Sequence, residues 1–207
     1  MRPSTLLALL FVAVGAAACA QTTETSVYDP LTGALTRLDY DYDGDGRIDV
    51  RTFIRQGRPV RLEGDADGDG KVDRWEYYRA DGTLDHAGGS TRHDGVEDTW
   101  VYRVAGETRM DVSTQRDGRV DRREFYRGDE VVRTESDSNG DGLMDHWEEY
   151  DRGRLALVSI DDNQRSGRPT RRLVYEAGGA TRMEVDVDGD GRFEPAGSPV
   201  GGASAAR

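Results

Sequence analysis

A glycine recurs along this chain at an almost constant interval. Each of these glycines closes a short Asp-rich turn, and they lie at Gly46, Gly70, Gly95, Gly118, Gly142, Gly167 and Gly191. The successive intervals are 24, 25, 23, 24, 25 and 24 residues. Self-similarity at such a period is typical of repeat architectures, in which each unit is one supersecondary element stacked on its neighbours. The chain is therefore expected to fold as an array of similar units.

Each interval predicts a β-hairpin. An acidic loop is followed by a short segment rich in aromatic and β-branched residues, such as Val50–Ile54 or Trp75–Tyr78, then by a glycine turn and a second extended segment. Glycine dipeptides between short β-prone runs are hairpin signals. The predicted turns are Gln56-Gly57, Asp81-Gly82, Ala105-Gly106, Gly128-Asp129, Arg152-Gly153 and Gly178-Gly179.

The expected fold class is all-β. Residues 22–194 are predicted to form an array of about seven antiparallel β-hairpin repeats of ~24 residues, joined by Asp-rich calcium loops. A seven-bladed propeller is not expected, because four-stranded blades need about 40 residues each. An open, twisted sheet or a wide curled sheet fits the short repeat better.

Two of the acidic loops carry oxygen atoms in the pattern of a calcium-binding loop. Counted from Asp65 or from Asp137, oxygen-bearing side chains stand at positions 1, 3, 5, 9 and 12, with glycine at position 6 and an apolar residue at position 8. Ca²⁺ takes six to eight oxygen ligands at about 2.3–2.6 Å, one of them the backbone carbonyl of position 7. The candidate ligands are Asp65, Asp67, Asp69, Lys71, Asp73 and Glu76 in one loop, and Asp137, Asn139, Asp141, Leu143, Asp145 and Glu148 in the other.

The remaining five loops depart from this pattern to different degrees. Two keep most ligands but lack a carboxylate at position 12, where Thr52 and Gly197 stand, and are expected to bind calcium more weakly. Their candidate ligands are Asp41, Asp43, Asp45 and Asp49, and Asp186, Asp188, Asp190 and Glu194. The other three are expected to be metal-free turns, because positions 1, 3 and 5 are Ser90, Arg92 and Asp94, then Ser113, Gln115 and Asp117, then Asp162, Gln164 and Ser166.

Over roughly residues 37–194 these loops resemble those of bacterial DxDxDG calcium-binding repeat proteins, including EF-hand, dockerin and thrombospondin type 3 loops. The resemblance implies Ca²⁺ as the bound ion and leaves the biological role open. The helical EF-hand fold is not implied, because only the twelve residues Phe53–Gly64 separate one loop from the next. Two flanking helices of ordinary length need about 20 residues or more.

The N-terminal segment predicts export. Arg2 precedes the apolar stretch Leu6–Val14 and a run of small residues, which is the layout of a secretory signal and is shorter than the ~20 residues of a membrane span. Residues 1–20 are read as a signal peptide, cleaved before Gln21 or acting as a lipobox that lipidates Cys19. The expected location is the periplasm, the outer membrane as a lipoprotein, or the medium, with membrane contact only through lipid on Cys19. Residues 195–207 are expected to be a disordered tail.

Composition narrows the function. The formal net charge of −12 disfavours nucleic acid and anionic membranes as partners. Hydrophobic residues make up 35% of the chain, which is low for a packed globule, so calcium is expected to replace part of the missing core. The expected function is a calcium-binding extracytoplasmic structural or interaction protein without catalytic activity, with a surface protein or a glycan as partner.

Two other functions remain open. Trp75, Trp100 and Trp147 each follow a marker glycine by five residues, and Tyr77, Tyr102 and Phe125 follow one by seven, so these rings share one face of the sheet. That face is either packed or an exposed aromatic surface for a glycan or cell wall. A hydrolase is the remote alternative, since no catalytic motif singles out a carboxylate pair. His86, His93 and His146 lack metal-like spacing and are expected to be solvated.

Overall fold

The computed structural model describes residues 22–104, 106–163, 166–176 and 181–197. The predicted signal peptide with Cys19 lies outside the described residues, as does the part of the predicted tail 195–207 from residue 198 onward. The predicted start of that tail is wrong, because Pro195 pairs with Glu184 in a strand and the N–H of Ala196 donates to the carbonyl of Met183. Within the described residues no segment is helical, and no helix is present that is long and apolar enough to span a membrane. The described residues divide into two compact units, one ending at Glu97 and the other beginning at Asp98.

Both units are antiparallel β-sheets built in chain order. The strands of the first unit are β1 (Thr23–Tyr28), β2 (Leu35–Asp41), β3 (Val50–Arg55), β4 (Arg58–Gly64), β5 (Arg74–Tyr78) and β6 (Leu84–Gly89). Those of the second unit are β7 (Thr99–Val104), β8 (Glu107–Val112), β9 (Arg122–Arg127), β10 (Glu130–Ser136), β11 (His146–Asp151), β12 (Arg154–Ile160), β13 (Arg171–Tyr175), β14 (Thr181–Val185) and β15 (Glu194–Pro195).

Within each unit consecutive strands pair with each other and the first strand does not pair with the last, so neither sheet closes on itself in the part of the chain that the structure describes. The prediction of an all-β, antiparallel fold is therefore confirmed.

Local turn chemistry explains why the strands fold into hairpins. Gln56 and Gly57 separate β3 from β4 with φ angles of +53° and +75°, and Arg152 and Gly153 separate β11 from β12 with +49° and +73°. Two consecutive residues with positive φ are characteristic of the type I′ turn, whose twist matches that of the flanking strands. Both hairpins also contain a register shift in the strand that precedes the turn. It lies between Phe53 and Ile54 in the first hairpin and between Glu149 and Tyr150 in the second.

Within each unit the loops that connect successive hairpins lie side by side at one end of the strands and are joined by backbone hydrogen bonds. The N–H of Asp65, at position 1 of its loop, donates to the carbonyl of Asp49, at position 9 of the preceding loop, over 2.8 Å. Ser90 binds the carbonyl of Asp73 in the same way, also at 2.8 Å. In the second unit, the N–H of Asp161 donates to the carbonyl of Asp145 at 2.9 Å. Each loop is thereby held against its neighbour without help from its side chains.

The buried side chains are mostly polar. Among the described residues, the buried apolar side chains are those of Trp75, Ala87, Tyr126, Met144 and Val158. The buried polar and charged ones are Asp39, Asp41, Asp73, Ser90, Asp98, Asp111, Ser113, Glu124, Thr134, Asp145, Ser159, Asp161 and Glu184. Buried carboxylates have to be hydrogen-bonded or paired with cations, so their partners decide how the fold is held together.

Candidate metal centre

Four loops, here called the acidic loops, span residues 41–49, 65–73, 137–145 and 186–194. The carboxylate at position 1 organises each of them by accepting the N–H groups of two glycines. In loop 65–73, Asp65 Oδ1 accepts the N–H of Gly68 at 2.8 Å and Oδ2 that of Gly70 at 2.7 Å. The φ angles of these glycines are +75° and +90°, a region that other residues occupy only under strain. Asp41, Asp137 and Asp186 make the same pair of bonds.

Positions 3, 5 and 9 also bind backbone amides. Asp67 Oδ1 accepts the N–H of Asp69 at 3.2 Å, and Asp69 Oδ1 accepts the N–H of Lys71 at 2.8 Å. At position 9, Asp73 Oδ2 accepts the N–H of Ala66 at 2.9 Å. The equivalent acceptors elsewhere are Asp43, Asp45 and Asp49 in loop 41–49, Asn139, Asp141 and Asp145 in loop 137–145, and Asp188 and Asp190 in loop 186–194.

This hydrogen bonding draws the carboxylates at positions 1, 3 and 5 together. Carboxylate oxygens from all three positions lie within 4.8 Å of one another in three loops, in the groups Asp41, Asp43 and Asp45, Asp65, Asp67 and Asp69, and Asp186, Asp188 and Asp190. Two oxygens bound to one Ca²⁺ at about 2.3–2.6 Å stand at most about 5 Å apart. The spacing is therefore compatible with a shared calcium ion.

Loop 137–145 has an asparagine at position 3, and position 7 of the two full-pattern loops is exposed. In loop 137–145, Asn139 donates from Nδ2 to Asp141 Oδ2 at 3.3 Å, which keeps positions 3 and 5 adjacent. Lys71 and Leu143, at position 7, are exposed. The Lys71 ammonium contacts Asp69 Oδ2 at 2.9 Å, and this hydrogen bond, with the backbone N–H of Lys71, lowers the pKa of the Asp69 carboxyl.

The structure does not bring the glutamates of position 12 to the loops. Glu76 lies on β5, where its Oε1 pairs with the guanidinium of Arg74 and its Oε2 accepts the hydroxyl of Tyr78. Glu148 on β11 accepts the hydroxyl of Tyr150 at 2.5 Å and that of Thr134 at 3.1 Å, and faces His146. The reason is geometric, because a strand advances by about 3.3 Å per residue away from the loop. Glu194, the other candidate beyond position 8, is exposed on β15.

A third copy of this arrangement shows that it does not depend on a metal loop. Glu124 on β9 pairs with Arg122 at 2.7 Å and accepts the hydroxyl of Tyr126, although the loop before it lacks acids at positions 1 and 3. Burial and the hydrogen bond to the glutamate carboxylate raise the pKa of Tyr78 and of Tyr150 to about 12, and raise that of Tyr126 as well. We call Arg74–Glu76–Tyr78, Arg122–Glu124–Tyr126 and His146–Glu148–Tyr150 the sheet triads.

The three incomplete loops are 90–98, 113–121 and 161–170, and in the first two a serine takes the place of the aspartate at position 1. Ser113 replaces the aspartate of position 1, and its Oγ accepts the N–H of Gly118 at 3.2 Å. Ser90 Oγ likewise accepts the N–H of Asp94 at 3.2 Å. These hydroxyls carry no charge, so they hold the loop without attracting a cation.

The sequence assignment of the Gly167 loop is shifted by one residue. Asp161, not Asp162, takes position 1, because its N–H binds the preceding loop and its carboxylate accepts the N–H groups of Asn163, Ser166 and Gly167 at 2.9–3.0 Å. Asp161 is 1% exposed. Burial acts to raise its pKa, but the hydrogen bonds from Ser166, Asn163 and Gly167 outweigh burial and lower it. This loop has one more residue between position 1 and the marker glycine than the other loops. Counting five residues back from Gly167 therefore gives Asp162 instead of Asp161.

Two incomplete loops send a basic side chain back to the preceding loop. Arg116, at position 4, places its Nε 3.0 Å from Asp98 Oδ2, and the two side chains are 13% and 1% exposed. His93, also at position 4, lies 3.2 Å from Asp73 Oδ1. In the acidic loops this position is a glycine with φ of +75° to +77°, whereas His93 and Arg116 have φ of +54° and +60°. Sequence reasoning missed both contacts, and a basic residue at position 4 is the signal that could have found them.

The aromatic face predicted from the sequence is largely covered. Trp75 is 8% exposed, and Trp100, Trp147, Tyr77, Tyr102 and Phe125 are half-buried. Guanidinium groups stack on the rings at 3.9–4.4 Å, with Arg61 over Phe53, Arg109 over Tyr102, Arg133 over Phe125 and Arg172 over Phe193. His86 stacks on Tyr77 with ring centroids 4.4 Å apart, so the expectation that it is solvated is wrong. These contacts favour a packed face over an open platform for sugars.

Comparisons with known proteins identify no family. No protein-family model matches the chain, and no curated protein matches it. Among solved structures, it is similar to a variant of S. aureus TarM in complex with fondaparinux, alpha-GlcNAc-glycerol and UDP, at 16% identity and a TM-score of 0.36, over 48% of this chain and 19% of that chain. A second crystal structure of TarM gives 16% identity and a TM-score of 0.32, over 53% of this chain and 19% of that chain. The chain spans about a fifth of the length of these structures, and likenesses at this level indicate nothing about function.

Proposed function

We propose that this protein is a calcium-binding extracytoplasmic structural or interaction protein without catalytic activity, in which Ca²⁺ ties down the acidic loops. The observation that carries the proposal is the grouping of carboxylate oxygens from positions 1, 3 and 5 within 4.8 Å in three separate loops. Three carboxylates at such distances repel one another, and a divalent cation removes the repulsion.

The proposed ligand set is smaller than that of an EF-hand. Positions 1, 3 and 5 supply side-chain oxygens, position 7 supplies its carbonyl, and water completes the shell. The glutamate of position 12 is omitted, since the sheet triads occupy it. Fewer charged ligands place the affinity in the weak range of about 10⁻⁴–10⁻³ M that suits extracellular modules, where calcium is millimolar. Weak sites of this kind agree with the predicted export of the chain.

Calcium binding to the folded state alone would stabilise a fold with little apolar core. A ligand at ten times its Kd adds about 1.4 kcal/mol per site through the factor RT ln(1+[L]/Kd). Several such sites along adjacent loops would add their effects where they do not contact one another. Calcium then acts as the cross-link that keeps consecutive hairpins in register, and the sheet presents a fixed surface to a partner.

Thermal unfolding in millimolar Ca²⁺ and in excess EDTA, followed by circular dichroism, tests this proposal. We expect EDTA to lower the Tm by at least about 5 °C, because 1 kcal/mol corresponds to about 2–4 °C in a protein of this size. Magnesium at the same concentration is the control, and it should restore less of the Tm, since Mg²⁺ demands a smaller octahedral site and gives up its water reluctantly. An identical Tm in calcium and in EDTA would refute the proposal.

A further inference from the structure

His93 stands between two carboxylates that belong to the preceding loop. Its Nδ1 atom lies 3.2 Å from Asp73 Oδ1 and 3.7 Å from Asp67 Oδ2. The hydrogen bond from the N–H of Ser90 to the carbonyl of Asp73, 2.8 Å long, fixes the two loops against each other and so presets this spacing. Ligand atoms of the three side chains all lie within 4.8 Å of one another.

One carboxylate oxygen of Asp73, the one nearest His93, is buried and receives no hydrogen bond. Its side chain is 5% exposed, and Oδ2 is already engaged by the N–H of Ala66. Oδ1 is inaccessible to solvent and accepts no hydrogen bond, even though His93 is close by. A buried carboxylate oxygen left in this way is costly unless a cation reaches it. Asp73 Oδ1 and His93 Nδ1 are therefore two potential ligand atoms 3.2 Å apart, one of them buried and without a hydrogen bond.

We infer that Asp67, Asp73 and His93 form a binding site for a divalent transition-metal ion of the Zn²⁺ class. Bonds of about 2.1 Å in a tetrahedral shell put neighbouring ligand atoms about 3.4 Å apart, a value between the observed distances of 3.2 and 3.7 Å. An imidazole nitrogen favours Zn²⁺ and its neighbours in the transition series over Ca²⁺, which prefers oxygen. His93 and Asp67 have side chains 53% and 48% exposed, so the ion enters from solvent and water supplies the fourth ligand.

This site differs in chemistry from the proposed calcium sites and does not require them. It shares Asp67 and Asp73 with loop 65–73, but its defining donor, His93 Nδ1, comes from the next loop. Zn²⁺ at this point would draw Asp67 toward the neighbouring loop, and we expect it to compete with Ca²⁺ for loop 65–73 alone.

Isothermal titration of the full chain with ZnCl₂, and separately the visible spectrum with Co²⁺, test the inference. The key variant is His93→Arg, because Arg116 already occupies the same loop position at a similar φ and supplies a cation without a metal-binding lone pair. The wild type should bind Zn²⁺ and give the intense visible bands of low-coordinate Co²⁺. The variant should bind Zn²⁺ at least about tenfold more weakly and lose those bands, since even outer-shell changes cost 10–100-fold. His86→Gln and His146→Gln, the controls, should behave as wild type.

The outcomes separate this site from the calcium proposal. Loss of Zn²⁺ binding in His93→Arg with calcium uptake intact, and with a Tm close to that of wild type in EDTA, supports the site. If Zn²⁺ binding depends on His93 but the protein takes up no calcium, the zinc site is supported and the calcium proposal is refuted. Equal Zn²⁺ affinity in wild type and His93→Arg, or no Zn²⁺ binding by the wild type, overturns the inference whatever calcium does.

Discussion

The acidic loop 65–73 and the incomplete loop 113–121 share two side-chain-to-backbone hydrogen bonds but differ in charge, since the first is strongly negative and the second is formally neutral. In both, position 1 accepts the N–H of the glycine at position 6, through Asp65 Oδ2 at 2.7 Å or Ser113 Oγ at 3.2 Å. In both, the aspartate at position 9 accepts the N–H of position 2, at 2.9 Å from Ala66 and 3.0 Å from Thr114. At positions 1, 3 and 5 the first loop gathers three carboxylates, whereas the second has a hydroxyl, an amide and a single carboxylate, with a basic side chain at position 4.

This difference separates the two roles of the loop residues. The hydrogen bonds at positions 1 and 9 give the loop its shape and hold it against its neighbour, and they survive the loss of the charged pattern. The charges at positions 1, 3 and 5 are an addition to that shape, and they are what a cation would recognise. The loop fold therefore does not require metal, although the stability of the acidic loops should depend on it.

The largest loss of stability is expected where a basic side chain of an incomplete loop pairs with a buried carboxylate. Arg116→Met removes the guanidinium beside Asp98, whose side chain is 1% exposed. Breaking a buried ion pair from one side costs about 3 kcal/mol or more, and the loss should be the same in calcium and in EDTA. Urea unfolding in both conditions measures it.

Arg119→Met is the matched control, because its contact with Asp117 is 4.0 Å long and its side chain is 83% exposed. Exposed pairs of this kind contribute at most about 1 kcal/mol. A loss in Arg116→Met no larger than in this control, or one that appears only in calcium, would show that incomplete loops do not carry a built-in cation.

A smaller effect is expected in the sheet triads. Glu76→Gln removes the charge that pairs with Arg74 and should cost about 1–2 kcal/mol in EDTA, as expected for hydrogen bonds to charged groups. Calcium affinity should not change, because Glu76 is engaged on the sheet. Glu124→Gln is the control, since it breaks the same triad behind a loop without the acidic pattern. Weakening of calcium binding by tenfold in Glu76→Gln would instead make position 12 a ligand.

The smallest effect is expected from a single ligand of one acidic loop. Asp43→Asn keeps an oxygen that can accept the N–H of Asp45, now at 3.0 Å, so stability in EDTA should stay within about 0.5 kcal/mol of wild type. The gain in the free energy of unfolding that calcium gives should fall by about 1 kcal/mol, which is the contribution of one weak site. Urea unfolding with and without calcium measures both terms. Gln115→Asn at the same position of loop 113–121 should change neither, and an equal calcium effect in the two variants would remove the distinction between the loops.

The features that could be predicted from the sequence are the ones determined by residues close together in the chain. The hairpins follow from turns such as Gln56-Gly57 and Arg152-Gly153 and from short β-prone runs, which act over a few residues. The grouping of Asp65, Asp67 and Asp69 is equally local, because each carboxylate binds an amide two to five residues ahead.

The features that sequence reasoning missed depend on register between repeats. The contacts of His93 with Asp73 and of Arg116 with Asp98 join consecutive loops, and they become visible only when the loops are stacked. The loop pattern alone predicts a ligand at position 12, but it does not show that a strand carries Glu76 away from the loop. The shift at Asp161 came from one additional residue, which a period measured between glycines cannot locate.

Calcium titration by isothermal calorimetry tests the central claim most directly, because its stoichiometry reports which loops bind. The account predicts weak, saturable uptake by the four acidic loops, reduced by about one equivalent in Asp43→Asn and unchanged in Gln115→Asn. Absence of heat at millimolar calcium, or a stoichiometry that falls equally in both variants, would contradict it.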